Sequence, residues 1–407
     1  MTVTLFFTLI LMILLATLLR QPMLLTPVYL LTGAWVIGRW WGRQALKQVV
    51  CSRTFVDRAF LNDKLTVKIT VRNTGRLPVL WLRLHDSLHS GLGPPVFDRA
   101  ISLRPFETRE FEYVLLANKR GVYHVGPMSF VSGDVFGLGE PRREQYASSP
   151  LMVYPRILSL EQLQLPSRQL LGALRHKQPI HEDPNRARGN RGYVSGDSLR
   201  RVDWKATAAL GQLQVKQFEP SVSIEAMIAL NLSREDYDRM SWIDGTELAI
   251  VTAASIANWL IERRQKVGLM INGTVSAAEN FQLRGTPDSG LNVGAWLAPH
   301  SGRPHMIQLL ERLALAQPIE GASFVAQLQR TVAKGNWGTT LIVITGQTND
   351  ALIHQLLDAQ RRGLSPMLIA CGYGAHFEPV QQRCATIGIP AYHVIRERDM
   401  RGVMTEK

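Results

Sequence analysis

The stretch "SIEAMIALNL" (223–232) decides the fold of the second half of the chain. After Glu225 it is a short, nearly unbroken apolar run, which reads as a strand buried on both faces. Working outward, "ELAIVTAASIANWLIERRQ" (247–265) reads as a long helix and "KVGLMING" (266–273) as a strand. Helices near 304–315 and 322–333 follow a less regular stretch, then a strand, "TTLIVITG" (339–346). "DALIHQLLDAQRRG" (350–363) is helical, "PMLIACG" (366–372) is a strand, and "AYHVIRE" (391–397) is the last. Apolar strands separated by helices predict a parallel sheet covered on both faces, a Rossmann-type α/β domain over 221–407. Sites on such sheets lie at the carboxyl ends of the strands.

Upstream, 156–220 reads as a linker and a charged signature segment. "HEDPNRARGN" (181–190) is polar and carries Pro and Gly, so an extended linker is expected. In "RGYVSGDSLRRVDWKATA" (191–208), Ser195, Gly196 and Asp197 are placed to cap a helix. On that helix Arg200 and Asp203 could pair at a spacing of three, while Arg201 and Lys205 lie four apart. Trp204 would face elsewhere and anchor the helix by burial. The segment then either clamps the linker onto the last domain or presents a charged face to a partner. A second reading makes the chain a hydrolase with Asp197 or Asp203 as base. The motif itself holds no histidine or cysteine, although His176 and His181 are near, and arginines lower an aspartate's pKa, which weakens it as a base. The expectation is no enzyme and no catalytic residue.

From about 50 to 155 the period changes to two. "LTVKITVR" (65–72), "VLWLRLH" (79–85), "EFEYVLL" (110–116), "GVYHVG" (121–126) and "MSFVS" (128–132) alternate or run apolar between turns, which predicts an antiparallel β-sandwich-like module. In "KRGVYHVGPMSFVSGDVFGLGE" (119–140), Gly121, Gly126, Gly133, Gly137 and Gly139 mark bends or positive φ. Asp134 and Phe136 suit a turn carboxylate and its anchoring aromatic, in a turn packed on the neighbouring domain.

Two apolar runs open the chain, 2–19 and 22–38, with Arg20 the charged residue between them. The first is long enough for about 27 Å of helix. A transmembrane hairpin over 1–45 is therefore expected, with Trp40 and Trp41 in the headgroup layer. A cleaved signal peptide would need a basic start and a small-residue cleavage site. Arg39, Arg43, Lys47, Arg53 and Arg58 follow, so the positive-inside rule predicts a multi-pass protein of the inner (cytoplasmic) membrane, its N-terminus and soluble domains cytoplasmic. The basic stretch suits anionic lipid.

The formal charge of +13 calls for an anionic partner, and lipid answers that need. Nucleic acid is not expected, because the arginines are not interleaved with stacking aromatics. Cys51, Cys371 and Cys384 have no metal spacing and read as buried thiols in a reducing compartment. His354, Trp242 and Trp259 read as surface or packing residues, and no cofactor is implied.

The combination of "RGYVSGDSLRRVDWKATA" with "KRGVYHVGP" and "DVFGL" upstream resembles the domain of unknown function 58 family, in its membrane-anchored subgroup. The resemblance implies a C-terminal domain like that of von Willebrand factor A. It also implies a place beside MoxR-type AAA+ ATPases, in assembly or chaperone-like work, with Gly196, Asp197, Arg200, Asp203, Trp204 and Lys205 as signature or partner-binding residues. A von Willebrand-type metal site needs Asp-x-Ser-x-Ser after the first strand, and its hard oxygens suit Mg²⁺. Here Asn231, Ser233 and Glu235 stand at that place, and Thr345 and Gly346 follow "LIVI", with no aspartate until Asp350. The set is degenerate, and no bound metal is expected.

Overall fold

The computed structural model describes residues 7, 10, 11, 13, 14, 18, 23, 25–87, 90–93, 96–132, 142–146, 148–160, 181–194, 198, 202–221, 225–275, 292–372 and 377–395. The chain divides into two compact units at Pro155 and Arg156.

In the first unit, helix α1 (Leu25–Leu46) leads into ten strands. They are β1 (Val49–Thr54), β2 (Arg58–Phe60), β3 (Lys64–Asn73), β4 (Val79–Ser87), β5 (Val96–Leu103), β6 (Thr108–Leu116), β7 (Gly121–Val125), β8 (Met128–Ser132), β9 (Arg142–Tyr146) and β10 (Ser149–Tyr154). Three sheets form, in the orders β1-β3-β6, β2-β10-β7 and β5-β4-β8-β9, and every pairing is antiparallel except β2 with β10. The pattern of β3 shows why: Leu65, Val67, Ile69 and Val71 are buried while Lys64, Thr66 and Lys68 are exposed. All three sheets contribute to one core that includes Leu84, Leu115, Phe130 and Leu151.

A buried polar cluster ties these sheets together. Arg53 Nη1 donates to Asp86 Oδ1 (3.0 Å), Arg53 Nη2 donates to Ser149 Oγ (3.3 Å), and Tyr113 OH donates to Asp86 Oδ2 (2.7 Å). The Asp86 side chain is 0% exposed and that of Arg53 7%. Gly126 closes over this guanidinium at φ +104°, and a Cβ there would lie 3.0 Å from Nη1. Of the other glycines in that turn segment Gly121 also takes positive φ, whereas Gly133, Gly137, Gly139, Asp134 and Phe136 lie outside the described residues.

The transmembrane hairpin is not what the described residues form. Among them, no helix is long and apolar enough to cross a membrane. The first run, 2–19, falls largely outside the described residues. In the second, α1 carries Thr26, Pro27, Thr32, Gly33 and two arginines, Arg39 and Arg43, and its last turn belongs to the β-rich unit. Ala45 and Leu46 are buried in that unit's core, and Trp41, expected at lipid headgroups, donates its Nε1–H to the Pro78 carbonyl (3.1 Å).

The second unit opens with β11 (His181–Gly192), α2 (Trp204–Leu210) and β12 (Gln214–Ser221). Its main sheet holds β13 (Glu225–Asn231), β14 (Lys266–Val275), β15 (Asn292–His300), β16 (Ala316–Gln317), β17 (Thr340–Thr345), β18 (Ser365–Cys371) and β19 (Ala391–Val394). The helices are α3 (Trp242–Glu262), α4 (Arg303–Leu315), α5 (Phe324–Lys334), α6 (Asp350–Arg361) and α7 (Phe377–Thr386). The order is β15-β14-β13-β17-β18-β19, parallel except for the edge strand β15 and the short β16, which both run antiparallel to β14. This is a doubly wound sheet whose strand order reverses at β13, between β14 and β17. Each residue of β17, and each of β13 after Glu225, is buried. The switch point of the sheet therefore lies at the carboxyl ends of β13 and β17, at Asn231 and Thr345, both of which are buried.

Candidate functional site

The signature segment is built on a ribbon. Strands β11 and β12 pair antiparallel, with Asn190 opposite Lys216 and Gly192 opposite Gln214, so 181–190 is a paired strand and not an extended linker. Tyr193 N donates to Leu213 O (2.9 Å), and the chain then returns to the other edge of β12, where Val202 bridges Val215 and Asp203 N donates to Gln214 O (2.8 Å). That extended backbone at Asp203 (φ −87°, ψ 95°) prevents a helix from running through it. Helix α2 accordingly starts at Trp204, several residues later than the sequence suggests.

Asp203 is the cap of this helix. Its Oδ1 accepts from Lys205 N and Ala206 N (3.1 Å each), and its Oδ2 accepts from Asn190 Nδ2 (3.2 Å). The Ala206 N–H, the Asn190 amide, the Lys216 charge and the Lys205 N–H hold this carboxyl below the usual carboxylate range. Gln214 N donates to Thr207 Oγ1 (3.0 Å), and Gly211 at φ +68° closes the helix by donating to Thr207 O. Gly196, Asp197 and Arg200 lie outside the described residues. With both Asp203 oxygens taken by N–H groups, the acid is engaged in structure.

Trp204 is not an anchor. It is 67% exposed, Leu210 is 65% exposed, and none of the seven residues of α2 is buried. The interior beside this helix takes Val202 and Val215 instead, which are 7% and 2% exposed. Val194 and Leu213 are exposed as well, as are Lys205 and Lys216.

At this switch point the sequence-derived set partly assembles. Asn231 Nδ2 donates to Thr345 Oγ1 (3.0 Å) and to Asp236 Oδ2 (2.7 Å). Its Oδ1 faces the other way and accepts from Ser233 N (3.0 Å) and Asn272 Nδ2 (3.1 Å). Tyr237 OH donates to Asn231 O (2.6 Å), and burial pushes that phenol far above its ordinary range. Glu235 is not part of this network. It is exposed and lines a neighbouring cleft of ≈ 380 Å³ with Arg234, Arg239, Trp242 and Glu320, in which the Arg234 guanidinium lies 4.6 Å from the Trp242 ring centre and pairs with Glu320.

Asp236 supplies the carboxylate expected of Glu235, and Asn272 is the residue sequence reasoning missed. Its signal was a polar residue ending an apolar strand, directly across from Asn231 in the sheet register. The set does not fit a divalent cation. It offers one carboxylate, and Asn231 turns its N–H groups toward that carboxylate and Thr345, where a cation would need oxygen. No cluster of three or more His, Cys, Asp or Glu suited to a metal occurs among the described residues.

The second unit is thus a doubly wound α/β unit carrying a helix-capped ribbon. Residues 189–284 match the family described as "Protein of unknown function DUF58". The chain is also similar to the "Uncharacterized protein YeaD" of Bacillus subtilis (strain 168), 28% identical over 299 residues, which span 72% of this chain and 68% of that protein. Among solved structures, a CARDB domain from Pyrococcus furiosus is similar at 14% identity and TM-score 0.21, over 26% of this chain and 91% of that one. A β-glucosidase from Listeria innocua is similar at 10% identity and TM-score 0.17, over 26% of this chain and 16% of that one. Likenesses this weak carry no argument.

Proposed function

We propose that this chain is a non-catalytic scaffold or adaptor whose signature ribbon and helix α2 form a docking face. The observation that carries the reading is the exposure of Trp204 on a helix with no buried residue. A tryptophan held out by a capped helix is costly to leave wet, and Trp is among the residues that most often dominate binding energy. The use of both Asp203 oxygens as hydrogen-bond acceptors argues against Asp203 as the base of a hydrolase. We read the α/β unit as von Willebrand factor A-like, supported by its strand order and antiparallel edge strand. The family resemblance suggests a MoxR-type AAA+ ATPase as partner. On α1, Tyr29, Leu30, Val36, Ile37 and Trp40 are a second exposed apolar surface, and membrane fractionation tells whether lipid covers it.

Affinity purification of the tagged chain after mild detergent extraction tests the reading, with wild type beside Trp204→Ala and with and without ATP. Recovery of an AAA+ ATPase with wild type alone is the expected result. Equal recovery by both chains removes the docking face. The absence of any specific partner removes the adaptor and makes hydrolase screening the next step.

A further inference from the structure

We propose that the docking face of β11, β12 and α2 takes an acidic segment carrying an apolar anchor, an inference that rests on the docking-face reading above. The apolar half of the match comes from Trp204, Leu210, Leu213 and Val194, all exposed. Its charged half comes from Lys205, next to Trp204, and Lys216, opposite Asn190 on the ribbon; both are exposed. Among the described residues of 189–216 the one acid is Asp203, and its two oxygens already accept three N–H groups. Glu182, Asp183 and Glu219 belong to the other end of the ribbon, so at the end that carries α2 the described side chains leave a positive charge to meet a partner.

A complementary segment places Asp or Glu over the two lysines, and a Leu, Phe or Trp against the apolar side chains. Charge then sets encounter and register, while the buried anchor sets residence time. Nucleic acid fits less well. Among the described residues the exposed rings here are Trp204 and Tyr193, and Val194, Leu210 and Leu213 offer no further platform for successive bases, on which single-strand binding depends.

The test is selection of a displayed random peptide library on the full chain, followed by affinity measurements with the selected peptides. Wild type, Trp204→Ala, Trp204→Phe and the double variant Lys205→Glu with Lys216→Glu are compared at low and high salt. Thermal melts establish that each variant is folded. The expected peptides are rich in Asp and Glu beside an aromatic or Leu. Trp204→Ala weakens them by about tenfold or more, and Trp204→Phe recovers part of the loss. The charge reversal costs about tenfold at low salt and much less at high salt. Peptides that need Trp204 but show no acidic bias and ignore the lysines overturn this inference and leave the docking face standing. Failure to select any peptide that depends on Trp204 overturns both. A single-stranded oligonucleotide that binds through Trp204 more tightly than every peptide also overturns it.

Discussion

Arg53 is where one side chain holds most. Its guanidinium neutralises a fully buried Asp86, reaches Ser149 on another sheet, and lies under Gly126. Arg53→Ala strands the Asp86 charge in the core, and chemical denaturation is expected to show a loss of about 3–5 kcal/mol. Replacing both partners by apolar residues of similar volume should recover most of it. The cysteines make a second expectation at this scale. Burial pushes the Cys371 and Cys51 thiols up to about 12 and raises that of Cys384. The thiolate is the nucleophile, so at about pH 8 the native chain should take up iodoacetamide slowly at all three and quickly once unfolded. Fast labelling of Cys51 in the folded chain would contradict the packing described for β1.

Helix α2 carries the element-scale expectations. Asp203→Ala removes its cap, so hydrogen exchange at the Lys205 and Ala206 amides should speed up while the main sheet stays protected. Because the fold lowers the Asp203 pKa, the cap is fully present above the ordinary carboxylate range. It is lost as pH falls through the lowered value, and acid should fray this helix as the substitution does. How far each element was readable follows from its environment. Strand β3 advertises itself by alternation, because one face meets a core and the other meets water. Strand β11 did not, because "HEDPNRARGNRG" has no period, contains proline, and pairs through its backbone. The apolar α1 misled for the opposite reason: uniform hydrophobicity reads as lipid-facing whether the cover is lipid or, at its last turn, the core of a β-rich unit. Trp204 shows the same limit, since a sequence records hydrophobicity and not whether a neighbour exists to bury it.

For the molecule as a whole, the alternation of apolar strands and helices was legible from 223 onward because a sheet covered on both faces demands it. The polar network at the switch point was legible at Asn231, Ser233 and Thr345 but not at Asn272 and Asp236, which matter only once strands distant in sequence lie side by side. Stability of this unit should depend on pH through His305. Burial depresses its pKa below the ordinary 6.5, while its ring N–H donates to the Val267 carbonyl at 2.6 Å. The unfolded chain therefore takes up the proton first. The stabilisation is whole above pH 6.5 and shrinks as pH falls toward the folded value. Melting temperatures between neutral and mildly acid pH should show this slope, and His305→Gln should flatten it; an unchanged slope in the variant assigns it elsewhere.

Strand β13, at the centre of the sheet, has one neighbour close by in sequence and another far away: Asn231 and its partner Thr345 are 114 residues apart. On a ribosome adding roughly 5–20 residues per second, β13 waits on the order of ten seconds for β17 to emerge. Through that interval β13 presents an open, apolar edge to solvent or to a holding factor. The strand that seals the centre of the sheet is made long after the strand it covers.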